Sequence, residues 1–246
     1  LACGASHRVV TETTKFAMPE IAIGLFPDVG GSWFLQRMPA RIGRYLALTG
    51  ARLGPADTIA LGMADLPIPH ARKQAVLDAI AAARWDGDAA RDRVRLDGIL
   101  EGASDWAGLA APDFMAHQSA VAAIAHTASP VEFYAALEKA AAADPWFEPH
   151  RQALAHGSPA SAGLSWALLE RLHGASLADV LRLELAAAMG CSADGDFAEG
   201  IRALIVDKDK SPKWRWKDLA DVGEAEVAML LAPRWSGPHP LADLVG

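Results

Sequence analysis

The sequence predicts an α/β chain, with its strands near the N-terminus and helices over most of the remainder. Three observations predict it. β-branched and aromatic residues gather before residue 20, in Val9-Val10-Thr11 and in Thr13 to Met18. Capping residues, prolines and glycines punctuate the chain after Gly31 at helix-length intervals. A chain of 246 residues, 52% hydrophobic and 22% charged, can bury a core without disulfides or a structural metal. The expected division is a mixed α/β piece over 1–65 and a mainly helical region over 66–246.

The elements follow in order. Val9-Val10-Thr11 and Thr13 to Met18 read as strands or strand ends, and Pro19, which lacks an N–H, should close the second. Ser32 to Met38 and Arg41 to Leu48 read as short helices split by Pro39, with Gly50 as the second one's C-cap. Pro55 to Leu61 reads as a helix ended by Gly62. In Ala71 to Ala83, Ala75, Val76, Ala79 and Ile80 fall at helical spacing. Ser129-Pro130-Val131-Glu132 is a capping box with proline at the first helical position, so a helix should run to about Ala143. Ser158-Pro159 starts another helix, with Leu164, Leu168 and Leu172 on one face and Gly174 past its end. Ser176 starts a third, with Leu177, Val180, Leu181 and Leu185 toward the core. Ile201 to Val206 is apolar but too short to settle helix against strand.

Composition excludes several classes. The net charge is -7 and no basic stripe runs along the chain, which argues against nucleic-acid binding. No run of about 20 apolar residues offers a membrane span. Two cysteines, Cys3 and Cys191, make no disulfide framework and lack zinc-ligand spacing, so no metal site is expected. Sparse cysteine suits a reducing compartment, and a cytoplasmic location is the expectation. The helical layer could pack within one subunit or against a second copy, leaving a homo-oligomer open.

The densest chemistry lies in Met18-Pro19-Glu20-Ile21-Ala22-Ile23-Gly24-Leu25-Phe26-Pro27-Asp28-Val29-Gly30-Gly31. Glu20 and Asp28 are carboxylates in apolar surroundings, where desolvation raises a pKa and suits a group to acid, base or nucleophile work. Two bland readings stand beside this one. Asp28 is well placed to cap the helix after Gly30-Gly31, and Glu20 could be a partly exposed strand-end residue. The amides at Gly30-Gly31 could instead receive an anion. Lys208, Lys210 and Lys213 could meet a phosphate or simply form a solvated turn. The histidines are scattered and the serines form no nucleophile elbow.

The segment from Phe16 to Gly31 resembles the crotonase (enoyl-CoA hydratase/isomerase) superfamily, which shares the Pro-Glu, the glycine four residues later and the closing Gly-Gly. Phe26-Pro27-Asp28 resembles its 3-hydroxyisobutyryl-CoA hydrolase branch, since typical hydratases carry glycine where Asp28 stands. Leu46 to Leu53, Ser158-Pro159 with its Leu-rich helix, and Phe197 to Ala203 with Asp207 to Trp214 are also similar to family segments.

The resemblance implies the C-terminal part of a crotonase-like β-β-α spiral core followed by a mainly helical region. It implies thioester hydrolysis in valine breakdown, with Glu20 attacking the carbonyl or activating water and Asp28 orienting Glu20 or the water. Glu20, Phe26, Pro27 and Asp28 become the substrate-contacting candidates. No cofactor is implied, because coenzyme A is part of the acyl-CoA substrate. The resemblance also puts the two oxyanion amides ahead of Leu1, so that a real chain extending upstream, or a truncated product, is expected. The alternatives are an enoyl-CoA hydratase or isomerase, and an inactive fragment that binds CoA esters or a partner subunit.

Overall fold

The computed structural model describes residues 2–245. In chain order its first elements are β1 (Val9–Val10), α1 (Gly31–Leu35), α2 (Ile42–Thr49), α3 (Pro55–Ala60), β2 (Leu66–Pro67), α4 (Lys73–Ala82) and α5 (Ala89–Ala103). There follow α6 (Asp113–Ala116), α7 (Gln118–Ala125), α8 (Pro130–Ala143), α9 (Glu148–His156), α10 (Pro159–Arg171), α11 (Leu177–Ala193), α12 (Phe197–Ile201) and α13 (Glu224–Leu231). The chain is α/β, as expected. It gathers into two compact units, Leu1–Phe16 with Arg52–His117, and Ala17–Ala51 with Gln118–Gly246. The region past residue 66 contributes helices to both.

In the first unit β1 and β2 run parallel, with Val9 opposite Leu66 and Val10 opposite Pro67. The Arg8 guanidinium forks onto the Asp65 carboxylate at 2.6 and 3.1 Å, and the Arg8 N–H donates to the same group at 2.7 Å. That fixes the entry to β1. Ile68, Val76 and Leu100 form a small core with Leu66, Ile80 and Leu96 packed against it, which is where α4 meets α5. The strand expected over Thr13 to Met18 does not form. Phe16 makes a single antiparallel bridge to Leu53. The reason is local: Thr11 N–H donates to the Thr14 hydroxyl, Thr14 N–H to the Thr11 carbonyl, and the Thr11 and Thr13 hydroxyls bond each other. Threonine side chains have captured the groups a ladder would need.

In the second unit α10 is the central element. Ten of its residues, from Pro159 to Leu169, are buried. It packs against α2, α13 and α11. The core contains Phe26, Leu164, Leu168, Val180, Ala187, Val227 and Leu230. Each such Leu or Phe contributes roughly 1.5–3 kcal/mol on burial. Every residue of α2 is buried. Its Tyr45 hydroxyl bonds His150 Nδ1 at 2.8 Å. Arg44 is buried over the Trp166 ring at 3.9 Å, ion-paired to Glu170 and donating to the Ala125 carbonyl. Burial pushes its guanidinium down to about 10.

The caps behave as expected. Ser129 accepts from Glu132 N–H, Ser158 from Ser161 N–H and Ser176 from Asp179 N–H. One expectation for a helix face changes. On α11 Leu177 is 44% exposed, and the buried face runs through Ala178, Val180, Glu184, Ala187 and Cys191 instead. The run after Ile201 is a π-helical turn, Arg202–Val206, whose last three side chains are exposed. Arg202 organises it by pairing with Glu199, Asp207 and Asp209. Of the lysines beyond it, Lys210 N–H donates to the Ala203 carbonyl and Lys213 N–H to the Glu199 carboxylate. No helix among the described residues is long and apolar enough to cross a membrane.

Candidate active site

Glu20 opens a 3-10 turn, Glu20–Ile23, entered from Pro19 and closed by Gly24 at φ 72. Leu25 N–H donates back to the Glu20 carbonyl at 3.0 Å. Two segments distant in sequence hold this turn. Ser158 N–H donates to the Ile21 carbonyl at 2.9 Å, and Gly157 leaves room for the Ile21 side chain, which would lie 2.8 Å from an added Cβ. The start of α12 also lies against the turn. A Cβ on Gly24 would come within 2.8 Å of Phe197 N, and one on Gly200 would strike the Ile23 backbone. The Ser158-Pro159 and Phe197–Gly200 motifs are therefore the clamp that fixes Glu20.

Asp196 ties the two jaws together. Its Oδ2 accepts from the Ser158 hydroxyl at 2.6 Å and its Oδ1 from Arg215 N–H at 2.8 Å, with Asp196 itself buried. Ser158→Ala should lose the α10 cap and leave one Asp196 oxygen unpaired. The expected cost is about 2–3 kcal/mol, read as a fall in the urea or thermal midpoint.

The Glu20 carboxylate is half-buried, and its Oε2 is buried with no hydrogen-bond partner among the described residues. Burial raises its pKa, the negative charge of Asp28 adds to the rise, and the group titrates at about 7. A carboxylate so placed is poised between base and acid at neutral pH. The charge of Asp28 thus acts on Glu20. Asp28 itself is half-buried.

Phe26 points inward, fully buried among Leu164, Leu168 and Val180. Pro27 is buried against Gly31, whose added Cβ would lie 2.9 Å from the Pro27 Cβ. Any influence of Phe26 on substrate runs through the backbone it anchors.

Beyond Asp28 the chain makes a sharp turn. Val29 takes φ 49 with 76% of its surface exposed, and Gly30 takes φ 84. A β-branched residue in the left-handed region costs about 1–3 kcal/mol. The expected Asp28 cap is replaced. Gly30 is the N-cap of α1, and Asp28 contributes only its carbonyl, to Gly31 N–H at 2.8 Å. The capping carboxylate is Glu184 from α11, which accepts from Gly30 N–H at 2.8 Å and Ser32 N–H at 3.0 Å. The Gly30 amide does receive an anion, shared with the Ser32 amide, and that anion belongs to the protein, while the Gly31 amide turns to the Asp28 carbonyl. This frees the Asp28 carboxylate from capping duty.

Glu184 is the site residue the sequence did not disclose. Its signal was a glutamate flanked by Val180 and Ala187 on an apolar helix, a buried charge in need of a partner. Among the described residues no group of three or more His, Cys, Asp or Glu side chains could hold a metal ion. Cys3 and Cys191 are free thiols, and burial pushes Cys191 up to about 12.

Comparison with known proteins bears on this geometry. A family model described as enoyl-CoA hydratase/isomerase matches residues 1–231. A 3-hydroxyisobutyryl-CoA hydrolase of Arabidopsis thaliana is 35% identical over 229 residues, covering 89% of this chain and 58% of that one. A mitochondrial 3-hydroxyisobutyryl-CoA hydrolase of Danio rerio is 34% identical, covering 92% and 58%. The chain thus spans under two thirds of the length of these relatives. Among solved structures, an enoyl-CoA hydratase from Rhodobacter sphaeroides superposes with a TM-score of 0.77 at 38% identity, covering 95% of this chain and 64% of the other. A carnitinyl-CoA dehydratase from Mycobacterium thermoresistibile gives 0.81 at 33%, covering 94% and 63%.

Proposed function

Because the chain belongs to the enoyl-CoA hydratase/isomerase family, we propose that it carries the catalytic carboxylates of a short-chain acyl-CoA thioester hydrolase. The proposed substrate is 3-hydroxyisobutyryl-CoA, the compound named in the Arabidopsis and Danio relatives, and the proposed place of the reaction is valine breakdown. The observation that carries the reading is the Glu20 carboxylate, with a buried, unpartnered oxygen and a pKa raised to about 7 beside Asp28.

The chemistry follows from that group. Ionised Glu20 takes a proton from water as the water oxygen attacks the thioester carbonyl. The tetrahedral oxyanion collapses and breaks the C–S bond. Protonated Glu20 then returns its proton to the departing coenzyme A thiolate. Acid and thiol leave, and Glu20 is again a carboxylate. Direct attack by Glu20 on the carbonyl would use the same ionised oxygen. Asp28, released from helix capping by Glu184, orients the water or Glu20. Turnover also needs donors that stabilise the oxyanion. No cofactor enters the reaction.

A second reading is hydration of an enoyl-CoA, favoured by the hydratase and dehydratase names of the two solved structures. One experiment separates them. The protein is given 3-hydroxyisobutyryl-CoA with a thiol reagent, and a short enoyl-CoA with absorbance at the enoyl band. Faster thiol release supports hydrolysis, and faster loss of the enoyl band supports hydration.

A further inference from the structure

The structure holds a third carboxylate at this site, for which neither proposed reaction has a use. Glu184 lies on α11, is only 4% exposed, and spends both oxygens on backbone amides of the turn that follows Asp28. The two amides, of Gly30 and Ser32, bracket Gly31, whose own N–H goes to the Asp28 carbonyl. All three donors at the start of α1 are thus satisfied, two of them by one buried anion. The turn so held contains Val29 at φ 49, a conformation that a β-branched residue abandons unless its surroundings impose it. Asp28 is the residue immediately before that strained position.

We propose that Glu184 is a positioning residue: its carboxylate pins the Val29-Gly30-Gly31 turn and thereby sets the Asp28 carboxylate beside Glu20. The proposal rests on the reading of Glu20 and Asp28 as the working pair. Two further facts support it. The charge of Asp28 acts electrostatically on both Glu20 and Glu184. Leu177, on the same helix as Glu184, would lie 3.3 Å from a Cβ on Gly30, so α11 meets the turn through side-chain packing as well. A glutamine cannot replace Glu184, because its amide nitrogen would face one of the two N–H donors with a donor of its own.

The test is a double-substitution cycle read on the Glu20 titration by carboxyl NMR. Asp28→Asn removes a negative charge near Glu20 and lowers its midpoint. In a Glu184→Gln background the same substitution is expected to lower it by less than half as much, because Asp28 is no longer held in place. An equal effect of Asp28→Asn with and without Glu184 overturns the proposal. Where Glu184→Gln fails to fold, Gly30→Ala strains the same turn while keeping Glu184, and should weaken the coupling likewise; a folded Gly30→Ala protein with undiminished coupling also overturns it. Alongside, thiol release by Glu184→Gln should show kcat down at least ten-fold with KM within two-fold. The titration cycle reads positioning without turnover. Absence of thiol release in the unsubstituted protein therefore counts against the hydrolase reading and leaves the Glu184 result to stand or fall separately.

Discussion

Glu20→Gln should abolish measurable thiol release, a loss of at least about 10³-fold, while leaving the protein folded. Glutamine keeps the shape of the side chain and removes only the ability to take a proton. Stability should move the other way at high pH. Glu20 has a folded pKa of about 7, above its ordinary value of 4.5. The buried site therefore favours the neutral acid, and the group's relative stabilisation is complete below pH 4.5 and is lost as pH rises through 7. Glutamine, always neutral, escapes that loss. At pH 8 the substituted protein is expected to be more stable than the parent by about 1–2 kcal/mol, once solvent screening at a half-buried site is allowed for. At pH 4 the two should unfold together. Denaturant midpoints at the two pH values check this. A Glu20→Gln protein that still hydrolyses the thioester at a tenth of the parent rate would remove Glu20 from the chemistry.

Asp28→Gly carries the second large effect. Glycine supplies no carboxylate, so hydrolysis should fall about 10²-fold or more. The pH dependence of what remains should also shift. Activity in the parent should rise as Glu20 ionises, with a midpoint near 7. Since the Asp28 charge contributes to that raised value, its removal makes Glu20 easier to ionise and moves the midpoint to lower pH. Asp28→Asn provides the comparison that keeps the backbone of the turn closer to the original. Initial rates across pH 5 to 9 report both features. If the rate falls with no movement of the midpoint, Asp28 acts on substrate or water and not on Glu20.

The proposed pair is legible in the sequence because it is local. Two carboxylates stand eight residues apart in an apolar segment punctuated by proline and glycine, and the turn that joins them needs only that segment's own residues to be recognised. Helix starts were legible for the same reason. Ser129, Ser158 and Ser176 cap within three residues of themselves. What stayed hidden depends on partners far along the chain. Glu184 caps a helix that begins more than 150 positions earlier, and leucine spacing on α11 pointed to a different buried face. Asp28 looked like the cap because nothing nearby competed for the role. Thr13 to Met18 has strand composition, but the hydroxyls of Thr11, Thr13 and Thr14 close a turn on themselves first. The matching motifs at Ser158 and at Phe197 to Gly200 were visible as patterns, whereas their task of clamping the Glu20 turn appears only once Ile21, Ile23 and Gly24 are seen against them.

The most direct test of the central claim is the titration of the Glu20 carboxyl carbon by NMR in the 246-residue chain. It needs no substrate and no turnover. A midpoint near 7 that falls when Asp28 becomes asparagine is the predicted result, since burial and the neighbouring charge are what hold Glu20 ready to take a proton. A midpoint at the ordinary glutamate value, unmoved by the Asp28 substitution, would contradict it and return Glu20 to the status of a partly exposed surface acid.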